Sequence, residues 1–142
     1  MRLSKNIYCI LFFFLFSSCA FQNKLEEIDP NIKIDKEYHD NGKIHYELTY
    51  KYGKLDGVSK TWDSSGNLMS EVEYSNGLPN GLWKTYYKNG KIKNSINYVR
   101  GLKDGYEIWY YNNGQKQSET LYENNEIIIV KRWSQDGKII SN

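Results

Sequence analysis

The sequence predicts an all-β fold: an elongated antiparallel meander of 24-residue β-hairpin repeats, about four units with a half-unit at each end. Three observations predict it. Sliding the chain against itself by 24 residues superposes Gly42 on Gly66, Gly90 and Gly114, and Tyr50 on Tyr74, Tyr98 and Tyr122, without a gap. Two further registers, Gly53/Gly77/Gly101 and Gly57/Gly81/Gly105, keep the same step; with Gly137 at a step of 23 they account for all 11 glycines. Between Gly42 and Gly53, Ile44, Tyr46, Leu48, Tyr50 and Tyr52 alternate with His45, Glu47, Thr49 and Lys51, the period-2 pattern of a half-buried strand.

Residues 1–18 are set apart from the array. Arg2 and Lys5 precede an apolar run from Ile7 to Phe16, followed by Ser17 and Ser18, which is the layout of a secretory signal peptide. A run of this length falls short of the roughly 20 residues that span a bilayer as a helix. Phe16-Ser17-Ser18-Cys19 resembles a bacterial lipobox, so Cys19 is the expected lipid attachment and Cys9 leaves with the signal. The mature chain then has neither a free thiol nor a disulfide. Stable attachment follows from two or more acyl chains. The expected location is the cell envelope, as a membrane-anchored lipoprotein, and the outer membrane if the source is a diderm bacterium.

Removing the signal also removes the basic excess. Arg2 and Lys5 belong to the signal, and the remaining 17 of the 19 basic residues balance the 17 acidic ones. No basic stripe is left to neutralise phosphates, so nucleic acid is not an expected partner. Residues 19–33, with Glu26, Glu27, Asp29 and Pro30 and no periodicity, read as the lipidated cysteine and a flexible tether. The repeat domain is expected over residues 34–142.

Within a unit, the alternating strand is followed by the turn Gly53-Lys-Leu-Asp-Gly57, a shorter strand from Val58 to Trp62, and the turn Asp63-Ser-Ser-Gly66. Glycine suits turns that require positive φ. Because 24 is even, each step preserves the face to which a side chain points. Two aromatic ladders follow: Tyr50, Tyr74, Tyr98 and Tyr122 form one, and Tyr38, Trp62, Tyr86, Tyr110 and Trp133 the other. The fourth unit departs from the pattern. Asn125 and Ile128 stand where glycines are expected, one turn residue is missing, and Ile127 to Val130 is continuously apolar. Such a unit is either a C-terminal cap, the favoured reading, or an adhesive sheet edge.

Catalytic signals are sparse. His39 and His45 lie in one unit with no nucleophile and oriented base and no spaced set of metal ligands, so both read as structural. Asp56, Asn80 and Asp104 precede glycines and read as turn formers. No catalytic residue, cofactor site or metal site is expected, and the chain is expected not to be an enzyme. The candidate binding face is the register in which lysines alternate with aromatics: Lys36, Tyr38, Lys60, Trp62, Lys84, Tyr86, Tyr110, Lys131 and Trp133. Its lysines either bind an acidic partner or cover the ladder with their alkyl stems.

Tyr-x-x-Gly-x-x-x-Gly, at Tyr50–Gly57, Tyr74–Gly81 and Tyr98–Gly105, and the turns at Tyr87–Gly90 and Tyr111–Gly114 resemble MORN repeats. They are closest to the variant found in bacterial proteins of the YwqK type, which are named antitoxins. The resemblance implies β-hairpin sheets acting as non-catalytic scaffolds for proteins or phospholipids. The expected function is a membrane-anchored scaffold that binds a protein partner, an antitoxin or immunity protein being the special case. The alternative is a phospholipid- or glycan-binding module at the envelope. Neither the partner nor the oligomeric state is readable from the residues.

Overall fold

In the computed structural model, which describes residues 29–141, two kinds of turn alternate along the chain and fold it into a meander. The strands are β1 (Ile32–Tyr38), β2 (Ile44–Lys51), β3 (Lys54–Leu55), β4 (Gly57–Trp62), β5 (Leu68–Ser75), β6 (Leu78–Tyr86), β7 (Ile92–Val99), β8 (Leu102–Tyr110), β9 (Lys116–Glu123), β10 (Glu126–Trp133) and β11 (Ile139–Ser141). All belong to one antiparallel sheet in which each strand pairs with its neighbours in sequence; β3 and β4 share the edge of β2. The predicted fold class is therefore the observed one.

Along one side of the sheet, hairpins close through two residues that both have positive φ: Tyr52-Gly53, Asn76-Gly77, Arg100-Gly101 and Asn124-Asn125. This is the type I′ turn, whose twist matches that of the flanking strands. Asn125 at φ 71° replaces glycine here without changing the turn, since Asn tolerates the left-handed region. Along the other side, Gly42, Gly66, Gly90, Gly114 and Gly137 each donate N–H to the carbonyl three residues earlier, at 2.8–2.9 Å. A further bond, such as His39 N–H to the Lys43 carbonyl at 2.8 Å, closes the loop as a type I turn with a glycine bulge.

The remaining glycine register does something other than predicted. Gly57, Gly81 and Gly105 are not the ends of a turn. The strand runs through Gly81 and Gly105, each register glycine is opposed by a tyrosine of the next strand (Tyr74, Tyr98 or Tyr122), and the ladder to the preceding strand shifts beside Gly81 and Gly105. The bulge demands φ of 101°, 121° and 98° at these positions. At Gly57 a Cβ would also come within 3.3 Å of Thr49 Cγ2. The ordered array also begins earlier than Ile34. β1 opens at Ile32, Asp29 bonds the N–H of Asn31 at 3.0 Å, and its carboxylate pairs with Lys51 at 3.0 Å. Asp29 to Lys33 thus belong to the array and not to the tether. Residues 1–28, including the signal and Cys19, lie outside the described residues.

A single layer has no interior. Among the described residues only Val72 (7% exposed) and Ile96 (4%) are buried hydrophobics, joined by buried Ser59 and Asn94. β2 alternates in sequence as expected, yet its residues are all half-buried, because neither face is covered by another layer. The substitute for a core is bonding between successive hairpins. Gly77, Gly101 and Asn125 N–H groups donate to the carbonyls of Leu55, Pro79 and Lys103 at 2.7–2.8 Å. Side chains repeat the device: Asp56, Asn80 and Asp104 accept the N–H of Asn76, Arg100 and Asn124 at 3.0, 3.1 and 3.4 Å. These three residues are therefore clamps onto the next hairpin, 20 residues on, and not merely local turn formers.

Two substitutions test the turn assignment. Arg100, a β-turn residue at φ 50°, occupies a slot held elsewhere by Asn76 and Asn124. Arg100→Asn should raise stability by about 0.5–1 kcal/mol, and Gly57→Ala should lower it by about 1–3 kcal/mol. Urea unfolding of both variants checks the signs.

Candidate functional site

Cross-strand partners share a face of a sheet, so the pairing register assigns the faces. One row runs Lys36, Glu47, Lys60, Glu71, Lys84, Ser95, Ile108, Glu119, Lys131, each residue opposite the next. Two residues after Lys36, Lys60, Lys84, Ile108 and Lys131, on the same face, lie Tyr38, Trp62, Tyr86, Tyr110 and Trp133. The structure therefore brings all nine residues of the predicted face onto one side of the sheet. It also supplies what the lysine register lacked, since every one of its lysines stands opposite a glutamate.

Two of these oppositions are ion pairs. Lys36 Nζ lies 2.6 Å from Glu47, and Lys60 Nζ 3.5 Å from Glu71. The Tyr86 hydroxyl donates to Glu71 at 2.6 Å. That bond, with Lys60 and Lys84 nearby, holds the Glu71 carboxyl below its ordinary range against the opposing effect of burial. Glu47 likewise raises Lys36. In the second half, Glu119 is bonded by Lys116, whose ammonium also lies 5.7 Å from the Trp133 ring. The row is thus a near-neutral alternation of charge and not a cationic stripe. Glu47, Glu71 and Glu119 also lie on the 24-residue step, so their register was visible; what the sequence did not show was that it faces the lysines.

A third row on this face was absent from the predicted set. Ile34, Val58, Leu82, Tyr106 and Ile129 lie two residues before the charged row and are 54%, 45%, 46%, 52% and 47% exposed. Apolar, charged and aromatic rows therefore run side by side along the array. The opposite face carries the second tyrosine ladder, with Trp83 and Tyr98 ring centroids 5.9 Å apart. It also holds Glu107, bonded by Lys103 Nζ and Trp109 Nε1, both at 3.1 Å. An open groove of about 480 Å³ lies there between Trp109, Ser118, Arg132 and Ile140.

His39 has a structural place. His39 Nε2 lies 3.0 Å from the Trp62 carbonyl, and the Tyr87 and Tyr111 hydroxyls donate to the carbonyls of Tyr110 and Trp133 at 2.6 and 2.9 Å. Because a carbonyl only accepts, His39 carries its proton on Nε2. His39, Tyr87 and Tyr111 are thus equivalent links between successive turns. Among the described residues no group of three His, Cys, Asp or Glu is placed to hold a metal ion.

The family model of the MORN repeat variant matches four consecutive segments, residues 36–52, 55–76, 79–100 and 103–124, more than half of the chain. The chain belongs to the MORN repeat variant family. Its four matched repeats coincide with the hairpins built on β1 and β2, β4 and β5, β6 and β7, and β8 and β9. Neither the comparison with curated proteins nor that with solved structures finds a match.

Two tyrosines on the sheet give a pH signature. Burial and Glu71 push Tyr86 up to about 12, and Glu37 does the same for Tyr46. A proton held more tightly when folded contributes stability that is fully present below the unfolded value of 10.0 and is lost as pH rises through about 12. Stability should therefore fall across that window. In the Tyr46→Phe, Tyr86→Phe double variant the fall should be shallower, as measured by urea unfolding at pH 9 to about 11.

Proposed function

We propose that the chain is a non-catalytic MORN-repeat scaffold, anchored to a membrane of the cell envelope through lipid on Cys19, that binds a protein partner on its three-row face. The observation that carries this reading is the exposed apolar row Ile34, Val58, Leu82, Tyr106 and Ile129, flanked by a balanced charged row and an aromatic row. Thr49, Glu73 and Asn97 stand between its first four members on the intervening strands, so the row offers exposed apolar side chains spaced by polar ones, and aromatics are enriched in protein interfaces. The charge balance favours a protein over an anionic lipid surface. Each lysine that would meet a phosphate already faces a carboxylate, whereas a protein can match alternating signs at fixed spacing. An immunity protein that blocks a toxin acting in or across the envelope is the special case that fits an anchored scaffold.

A glycan reading rests on the other face, where the Trp109 indole borders a groove that also holds the Ser118 hydroxyl and Arg132. Retention of the chain on cell-wall polymer, lost in Trp109→Ala, supports it; no retention removes it.

The protein reading is tested by crosslinking in intact envelopes and recovery of the full chain. A Val58→Ser, Leu82→Ser, Tyr106→Ser variant should recover its partner about tenfold less well, a loss of about 1.4 kcal/mol; equal recovery contradicts the assignment of the face. Anchoring has a separate readout. Cys19→Ala should abolish fatty-acid labelling and release the chain from membranes, and labelling that persists refutes the attachment site.

A further inference from the structure

The face opposite the three-row face carries a row of its own. Thr61, Ser70, Thr85, Asn94, Trp109 and Ser118 stand opposite one another in turn from β4 to β9, and Arg132 of β10 continues the row. Beside it run Val72, Trp83, Ile96 and Glu107. An open groove of about 400 Å³ is lined by Thr61, Ser70, Trp83, Thr85, Lys93 and Trp109. The groove of about 480 Å³ is lined by the same Trp109 and by Ser118 and Arg132. Because Trp109 borders both, the two grooves form one path across the strands from β4 to β10. At about 4.8 Å between neighbouring strands, that path is roughly 29 Å long.

Both tryptophans of the path are tied down. Trp83 lies against Tyr98, ring centroids 5.9 Å apart, and the Trp109 indole donates its N–H to Glu107 at 3.1 Å. With that donor engaged, Trp109 has only its ring to offer a ligand. Such rings match the C–H faces of a pyranose, since the negative face of an aromatic attracts the weakly positive hydrogens of the sugar. The Thr85 and Ser118 hydroxyls line the same grooves, and a hydroxyl serves a sugar hydroxyl as donor or acceptor.

Charge selects the kind of glycan. Among the described residues no carboxylate lines either groove. Lys93 in the first and Arg132 in the second have no salt-bridge partner among those residues. Glu107, on the adjoining row, is bonded by Lys103 Nζ at 3.1 Å as well as by Trp109, so it brings no free negative charge. The three-row face is the reverse case, where Lys36, Lys60, Lys84 and Lys131 each oppose a glutamate. Beyond β4 the polar row passes through Tyr46 to Glu37, an acid that bounds the path at its N-terminal end. Lys93 and Arg132 lie on β7 and β10, roughly 14 Å apart by strand spacing. Two unmatched cations at that interval suit a ligand with negative charges repeated along its length.

We propose that this path binds an acidic polysaccharide, a chain of pyranose rings bearing carboxylates, laid across the strands with rings on Trp83 and Trp109 and carboxylates at Lys93 and Arg132. The site rests on the glycan reading of the Trp109 groove and extends it, adding the second groove, Trp83 and Lys93, and giving the glycan a charge. It is independent of the protein reading, which concerns the other face. The two faces of the sheet then hold different ligands.

Retention of the full chain, in a nonionic detergent, on immobilised polygalacturonate tests the site against two controls. One is the same polymer methyl-esterified at its carboxyls; the other is linear polyphosphate, which has charge without rings. The wild type should bind polygalacturonate about tenfold or more tightly than either control, and salt should weaken that binding. Lys93→Ala and Arg132→Ala should each weaken it about fivefold, and Trp83→Ala and Trp109→Ala about tenfold. Lys88→Ala, which removes a cation from a turn outside both grooves, should leave it unchanged. Circular dichroism verifies folding, and because Lys93 and Arg132 are exposed, their variants read binding even where a Trp variant unfolds. Equal retention on the esterified polymer or on polyphosphate overturns the site, as does a loss in Lys88→Ala as large as that in Lys93→Ala. Retention on cell-wall polymer that depends on Trp109, with none on polygalacturonate, overturns the acidic site and leaves the glycan reading standing; retention on no polymer removes both.

Discussion

The sheet depends on the backbone entering the left-handed φ region at fixed intervals. Each I′ turn requires it twice, each glycine-bulge turn once, and each mid-strand bulge at Gly57, Gly81 and Gly105 once more. Where these conformations recur every 24 residues, strands of matched length return side by side, and the even spacing keeps every side-chain register on its own face. Among the described residues no helix or second sheet imposes the shape. The turns impose it, and the bonds between successive turns hold it.

Those bonds explain how one layer persists when, among the described residues, only Val72 and Ile96 are buried hydrophobics. A hydrogen bond contributes on the order of 1 kcal/mol net, and the array obtains several at each hairpin from its neighbour. Backbone bonds such as Gly101 to Pro79 are joined by side-chain clamps from Asn80 and Asp104 and by links such as Tyr87 to Tyr110. Each hairpin is thus stabilised by the one before and the one after, the nearest-neighbour condition of a repeat protein. The same arrangement leaves both faces open. It also leaves two edges, one at β1 and one at β10 and β11.

Much of this was legible in the sequence because repetition writes the same instruction several times. The glycine registers and the alternation of residues 44–52 specified the hairpins, and parity specified which residues share a face. What escaped depended on pairing between strands, which a single strand does not encode. Gly57, Gly81 and Gly105 looked like turn residues until the register set each opposite a tyrosine. Lys36, Lys60 and Lys84 looked like a cationic stripe until Glu47 and Glu71 came to stand between them. Asp56, Asn80 and Asp104 looked local because their partners lie 20 residues on. The exposed row Ile34, Val58, Leu82, Tyr106 and Ile129 keeps the repeat step in the sequence, but alternation along a strand does not say whether a face is covered. Among the described residues there is no second layer for that row to meet.

The central claim is that this sheet is a one-dimensional stack of hairpins stabilised by nearest neighbours and not by a shared core. Native-state amide hydrogen exchange across the full chain tests it most directly, because it reads stability strand by strand. A stack predicts graded protection, highest in β5 to β8 and declining hairpin by hairpin toward both ends of the array. A single common protection level for all slowly exchanging amides, from β2 through β10, would show global all-or-none unfolding and contradict the account.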